Sequence, residues 1–172
     1  SKLITMKNLI LIRHSKSSWD APVQDIDRSI SQRGVRDAHL IASKTPKILP
    51  PSYIVWCSKA KRTQETAFIF SQYLSIPLET IRFSEDLYTF DAKSLEKSIK
   101  KCENSYDSLI LFGHNEAITK FVNKFGDLYI DNVPTSGVVA LQFDTDDWNN
   151  ISKGQTKATL FPSQFKNEQS YK

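Results

Sequence analysis

Short apolar runs alternate with stretches of helical period along the whole of this 172-residue chain. The apolar runs predict strands at 8–13, 53–57, 78–83, 108–113, 138–143 and 158–161. Apolar residues at three- and four-residue spacing predict helices at 35–42, 58–74, 94–102 and 115–125. Strands that alternate with helices are typical of a layered α/β domain. We therefore expect a three-layer α/β/α sandwich with a mostly parallel central sheet.

Capping residues suggest where these helices begin and end. Ser31 and Ser58 are candidate N-caps for the first and second helices, and Gly126 suits the end of the fourth. The length suits a single core, and no linker or repeat interrupts it. We therefore expect one domain over 7–162, followed by a polar C-terminal tail over 163–172 that frays.

The composition narrows the class of protein. Hydrophobic residues make up 40% of the chain and charged residues 24%, which is ordinary for a globular protein. No apolar run approaches the roughly 20 residues that a membrane helix needs. The net charge is +4, and the lysines and arginines are dispersed among acidic residues. We therefore predict neither membrane insertion nor nucleic-acid binding.

The two cysteines, Cys57 and Cys102, lie in unlike contexts, and neither has a second cysteine or a histidine at ligand spacing. No metal or other cofactor is predicted. The first residues lack the pattern of a secretory signal, and Met6 is a candidate natural start. We expect reduced thiols in a cytoplasmic protein.

Two of the three histidines directly follow predicted strands. Arg13 and His14 come after the apolar run 8–12, and His114 follows the run 108–113. The carboxyl ends of parallel strands are where open α/β sheets place their chemistry, so both histidines are expected in one crevice. A histidine near a core can also be structural, and His39, in the middle of a predicted helix, is assigned a packing or surface role.

Arg62 adds a second signal, because it lies in the first turn of a helix that directly follows a strand. Free backbone N–H groups favour an anion there. Arginines and histidines gathered at strand ends could hold a phosphoryl group, and no glycine-rich nucleotide loop is present. A histidine among guanidinium groups stays neutral, which is its nucleophilic form.

Three segments together resemble the signatures of the histidine phosphatase superfamily, the phosphoglycerate-mutase-like proteins. They are Leu11 to Asp20 with the following Asp27-Arg28 and Ser31 to Gly34, Cys57 to Ala67, and Gly113 to Asn115. Within the superfamily, the continuation Lys16 to Asp20, Leu87-Tyr88 and the segment Asp131 to Val139 are similar to SixA-type phosphohistidine phosphatases. The resemblance covers about residues 7 to 143.

The resemblance implies that His14 is the nucleophile that becomes phosphohistidine. It also implies that Arg13, Arg62 and His114 bind the phosphoryl oxygens, with no metal involved. Ser15 stands where the first signature more often has glycine or alanine, and we expect no loss of activity from it.

Several assignments around this centre stay open. Glu85 matches the place of the mutase proton donor, but it could equally be a solvated loop residue beside Asp86. Ser17 and Asp20 are candidate phosphate contacts, with Asp20 at the pocket rim. Trp19 either packs down or lines the pocket mouth.

The connection between the third and fourth predicted strands is short, so we expect a phosphoglycerate-mutase-like fold with no large lid insertion and an open pocket. An open pocket suits a phosphoryl group on another protein, and phosphohistidine on a phosphotransfer domain or phosphocarrier is the leading hypothesis. One alternative is a small-molecule phosphomonoesterase. The other is a non-catalytic phosphate-binding module, which the presence of a nucleophile disfavours.

Overall fold

The computed structural model describes residues 5–169. Within them, six strands form one sheet and five α-helices surround it. The strands are β1 (Lys7–Arg13), β2 (Ile54–Ser58), β3 (Arg82–Ser84), β4 (Ser108–Gly113), β5 (Val138–Phe143) and β6 (Gln155–Leu160). The helices are α1 (Gln32–Lys44), α2 (Lys61–Leu74), α3 (Ala92–Lys100), α4 (Ala117–Phe125) and α5 (Lys166–Gln169).

The strand order in the sheet is β3-β2-β4-β1-β5-β6. The first four strands in this order are parallel, whereas β5 runs antiparallel to β1, and β6 antiparallel to β5. In the centre, Ile10 lies between Ile110 of β4 and Ala140 of β5. This confirms the predicted mostly parallel sheet.

Alternate side chains of the central strands point to opposite faces of the sheet, as the pleat requires. Leu9 and Leu11 belong to a core shared with α3 and α4, whereas Ile10 and Ile12 belong to a core shared with α1 and α2. All four are buried. The two cores give the predicted three-layer sandwich and explain why β1 is apolar on both faces.

The register of the parallel strands decides where the chemistry lies. Arg13 pairs with Gly113, and the His14 N–H donates to the Gly113 carbonyl at 3.1 Å. The residues that follow β1 and β4 therefore leave the sheet at the same edge. Between β3 and β4, the described chain contains one 3-10 turn and α3, with no lid insertion over this edge.

The structure changes three of the predicted helix starts. Ser31 caps α1 as predicted, because the Gly34 N–H donates to its hydroxyl at 3.1 Å. Ser58 instead ends β2, and α2 begins after Ala60. Helix α3 begins two residues earlier than predicted, because the Asp91 carboxylate accepts from the Ser94 N–H. Helix α4 begins at Ala117 and not at 115.

The predicted strand 78–83 was largely wrong. Residues Leu78–Thr80 form a 3-10 turn in which the Thr80 hydroxyl donates to the Pro77 carbonyl, and the strand is the three-residue edge β3. None of the three turn residues is buried, so the alternating pattern at 78–80 did not reflect a strand face. Strand β6 also begins three residues earlier than predicted.

The C-terminal segment is more ordered than predicted up to Gln169. Residues Pro162–Phe165 form a 3-10 turn and continue into α5. The Phe165 ring packs against the α1–α2 core, and Glu168 pairs with Lys44 at 2.6 Å. These contacts hold the segment that we expected to fray, and residues 170–172 lie outside the described part. No described helix is long and apolar enough to cross a membrane.

Candidate active site

His14 and His114 face each other at the carboxyl edge of the sheet. Their ring centroids are 5.3 Å apart, with a 50° angle between the planes. His14 is 8% exposed and His114 is 2% exposed. The two strand-end histidines therefore form one buried pair, as the sequence predicted.

The hydrogen bonding of His14 fixes which nitrogen is free. Its Nδ1 lies 2.7 Å from the carbonyl oxygen of Ser15. A carbonyl only accepts, so Nδ1 must carry the proton and donate it. The lone pair then lies on Nε2, which is the arrangement that a nucleophilic imidazole needs.

His114 is held in a different way. Its Nε2 lies 2.8 Å from the Ser58 hydroxyl, and its Nδ1 is buried with no hydrogen-bond partner among residues 5–169. The rings of Tyr88 and Phe90 pack edge-to-face against it, with centroids at 5.3 and 5.5 Å. Ser58, predicted as a helix cap, thus orients a site histidine.

Arg62 is fully enclosed, with 2% of its surface exposed. Its Nη1 donates to the Asp25 carbonyl at 2.7 Å, and its Nη2 donates to the Asp25 carboxylate at 3.0 Å. Arg28 donates through Nε to the same carboxylate at 3.2 Å. One aspartate therefore fixes two guanidinium groups.

Unpartnered polar atoms concentrate at this site, and the arginine nitrogens among them are donors. Five buried side-chain atoms have no hydrogen-bond partner within residues 5–169, and four of them belong to the site. They are Nε of Arg13, Nη1 of Arg28, Nε of Arg62 and Nδ1 of His114. A buried donor left unsatisfied costs about 1–3 kcal/mol, so such a cluster is typical of a site that binds an anion.

Burial and charge keep both histidines neutral. Burial, together with the charges of Arg62, Arg13 and Arg28, lowers the pKa of His14 from 6.5 to about 3, although the bond to Ser15 acts in the opposite direction. Burial, together with the neighbouring His14 ring and the charge of Arg62, lowers the pKa of His114 to about 2, because a second proton would be repelled. At neutral pH, both rings are therefore uncharged and the positive charge of the site resides on its arginines.

Asp25 is the main site residue that sequence reasoning missed. Burial alone raises the pKa of its carboxyl, but hydrogen bonds from Tyr88, Arg62 and Arg28 outweigh burial and lower this pKa to about 2. It stays ionised and holds the arginines at any pH above this value. Asp25 lies in a polar connection that has no hydrophobic periodicity. Of the residues near Asp25 in this connection, only the Asp27-Arg28 pair belonged to a recognised motif.

Ser15 connects the nucleophile to its surroundings. Its hydroxyl lies 2.6 Å from that of Ser136, and its N–H donates to the Thr66 hydroxyl at 2.9 Å. Thr66 in turn donates to the Arg62 carbonyl on α2 at 2.7 Å. The serine in the place of the usual glycine or alanine therefore adds a buried hydroxyl pair next to His14.

The remaining predicted site residues lie away from these contacts. Glu85 is exposed over 81% of its side chain, and its carboxylate lies 3.8 Å from the Lys59 ammonium. Ser17 pairs through its backbone with Ile30 in an isolated bridge, and Asp20 is exposed. Their roles in catalysis and phosphate binding stay predictions.

Trp19 neither packs into the core nor lies free in solvent. It is 76% exposed, and the Arg28 guanidinium carbon lies 3.4 Å from its ring centroid. The indole thus covers the outer side of an arginine whose inner side faces the site.

The described part of the chain contains no group of three or more histidine, cysteine, aspartate or glutamate residues that could hold a metal ion. Cys57 and Cys102 are both buried, free thiols. Burial raises the pKa of both thiols, so neither is a reactive thiolate at neutral pH.

An α/β fold with a neutral histidine pair and arginine donors at the sheet edge is suited to hold a phosphoryl group. The sequence model of the histidine phosphatase superfamily (branch 1) matches residues 9–129. The chain belongs to this superfamily.

The chain is also similar to a curated protein and to several solved structures. The uncharacterized protein ML1117 of Mycobacterium leprae is 27% identical over 143 residues, which cover 76% of this chain and 86% of that protein. The structure of the protein histidine phosphatase SixA complexed with tungstate is similar, with a TM-score of 0.77 and 16% identity, over 91% of this chain and 98% of that one. A mycobacterial glucosyl-3-phosphoglycerate phosphatase is also similar, with a TM-score of 0.60 and 13% identity, over 89% of this chain and 98% of that one. At these identities the structural likeness establishes the shared fold.

Proposed function

We propose that this protein is a phosphatase that removes the phosphoryl group from phosphohistidine on a partner protein, by way of a phosphohistidine intermediate on His14. The observation that carries the proposal is the free Nε2 lone pair of His14, close to three buried and unpartnered arginine donors. A module that only binds phosphate needs the donors but has no need for the nucleophile.

The reaction has two balanced steps. His14 Nε2 attacks phosphorus, the substrate N–P bond breaks, and its electron pair goes to the leaving imidazole nitrogen, which takes up a proton from solvent. Water then attacks the phosphorus on His14, the P–Nε2 bond breaks, and its electron pair returns to Nε2. One proton of this water returns to solvent and the other leaves on inorganic phosphate. The donors of Arg13, Arg62 and His114 stabilise the charge on the phosphoryl oxygens in both steps.

The substrate assignment is supported by two features. The described chain has no lid insertion over the sheet edge, so a phosphoryl group carried on a protein surface has access to His14. The likeness to a protein histidine phosphatase in fold points in the same direction. The partner that fits is a phosphotransfer domain or a phosphocarrier protein.

The test is to incubate the protein with a phosphohistidine-bearing domain labelled with ³²P and to quench in alkali, which preserves N–P bonds. We expect label on His14, and none in His14→Ala. His39→Ala is the matched control, because it removes the histidine that lies on α1 outside the site, and we expect it to be labelled normally.

Two results would overturn the proposal. The covalent mechanism is wrong if phosphate is released at a normal rate while the enzyme never carries label. The substrate assignment is wrong if phosphohistidine is not hydrolysed while sugar phosphates are hydrolysed efficiently.

A further inference from the structure

Phe90 is a large apolar side chain that stays half in solvent beside a site histidine. Its ring is 52% exposed, although it makes edge-to-face contacts with His114 at 5.5 Å and with Tyr88 at 5.6 Å. Two such contacts hold an aromatic ring in one orientation. The exposed part of the ring is therefore a fixed surface and is available to a ligand.

The chain on both sides of Phe90 is anchored. The Tyr88 hydroxyl donates to the Asp25 carboxylate that also holds Arg62, and the Tyr88 ring packs on His114. On the other side, Asp91 caps α3 by accepting from the Ser94 N–H at 3.0 Å. Phe90 therefore keeps its position relative to the arginines.

The geometry of phosphoryl transfer places the leaving group on the open side of the site. Attack and departure are roughly in line, so the leaving atom lies on the far side of phosphorus from His14 Nε2. In the proposed reaction His114 binds the phosphoryl group between them, so the leaving group passes the side chains that cover His114. Of the two rings that contact His114, Phe90 has the larger exposed surface.

The electrostatic setting makes an aromatic surface useful at this point. The other walls of the site carry the guanidinium groups of Arg13, Arg28 and Arg62, and these repel an imidazole that is gaining a proton. An aromatic ring attracts a cationic or aromatic partner through its π face. Phe90 therefore offers the leaving imidazole a surface without positive charge.

We infer that Phe90 is a specificity-determining residue whose exposed ring stacks with the imidazole of the substrate phosphohistidine, so that the site favours aromatic nitrogen leaving groups. The inference rests on the proposed function. It assigns to Phe90 a contact with the leaving group and not with the phosphoryl oxygens.

The test compares two small N–P substrates, one with an aromatic leaving group and one without. Phosphoimidazole has an aromatic leaving group, whereas phosphoramidate releases ammonia. Phe90→Leu keeps an apolar side chain but removes the π face. We expect it to lower kcat/KM for phosphoimidazole about fivefold more than kcat/KM for phosphoramidate, which is the size of one aromatic contact.

Two further variants separate stacking from general damage. Phe90→Trp keeps an aromatic face at this position. It is expected to keep the preference for phosphoimidazole that Phe90→Leu loses. Phe68→Leu is the matched control, because Phe68 is also an exposed phenylalanine with an edge-to-face partner, Phe83, outside the site. It is expected to change neither rate.

The outcomes distinguish this inference from the proposed function. If the wild-type protein hydrolyses neither N–P substrate and His14 is never labelled, the proposed function itself fails. If the wild-type protein is active but Phe90→Leu lowers both rates equally, or neither, Phe90 does not contact the leaving group and the inference alone is overturned.

Discussion

Mild acid should destabilise this protein, because it folds with two histidines that resist protonation. An unfolded histidine has a pKa near 6.5, whereas those of His14 and His114 in the fold are about 3 and about 2. Below pH 6.5 the unfolded chain binds protons that the folded protein does not. The free energy of unfolding therefore falls as the pH drops from about 6.5 toward 3.

The size of the effect follows from the width of this window. A pH of 5 lies about 1.5 units below the pKa of an unfolded histidine, so protonation stabilises the unfolded chain by about 2 kcal/mol for each histidine. The two histidines together lower the free energy of unfolding by about 4 kcal/mol. Both rings are almost fully buried, so solvent screening reduces this little. Both rings are neutral in the folded protein at pH 5, so repulsion between their charged forms does not contribute to this difference in the free energy of unfolding. About 4 kcal/mol is a large share of a typical domain stability of 5–15 kcal/mol.

Urea unfolding at pH 7.5 and pH 5 measures this difference directly. His14→Asn removes one of the two groups and is expected to halve the difference between the two pH values. Asp25 does not contribute in this range, because its carboxyl titrates well below pH 5. A wild-type difference below about 1 kcal/mol would refute the reasoning, as would an unchanged difference in His14→Asn.

Three further outcomes follow from the site contacts. Asp25→Asn removes the charge that holds Arg62 and is expected to lower kcat/KM roughly 10- to 100-fold, whereas normal kinetics would show that Arg62 is positioned without it. Ser15→Ala leaves the buried Ser136 hydroxyl without its partner, so we expect urea unfolding to show a loss of about 1–3 kcal/mol with turnover largely kept. Glu85→Gln is expected to leave phosphohistidine turnover unchanged because the side chain is in solvent, and a sharp fall in that turnover would identify Glu85 as a working acid.

The central part of the site could be predicted from the sequence because its residues lie at the ends of regular elements. His14 and His114 follow apolar strands, and Arg62 opens a helix directly after a strand, so local patterns locate all three. Parallel strands then bring their carboxyl ends together without any knowledge of side-chain contacts.

The residues that hold these groups could not be found in the same way. Asp25 forms hydrogen bonds with Arg62, which is 37 positions away in the sequence, and with Tyr88, which is 63 positions away. Asp25 and Tyr88 both lie in short irregular turns. Such pairs depend on how the loops fold over the sheet edge, which hydrophobic periodicity does not predict. The predicted strand 78–83 was too long and the order at 163–169 was missed for a related reason, since tertiary packing decides short elements.

The low pKa values of the histidines and the phosphoryl-binding capacity of the site have a common physical origin. The arginines that disfavour a proton on His14 are the groups that attract a dianionic phosphoryl group, and burial strengthens both effects. The unpartnered donors extend this argument, since they weaken the empty fold and gain partners only when an anion arrives. The fold tolerates these unpartnered donors because Asp25 offsets part of the positive charge. It does so while leaving Nη1 of Arg28 and Nε of Arg62 free. A carboxylate that paired with every nitrogen would stabilise the protein further but would leave Arg28 and Arg62 without a donor for the substrate.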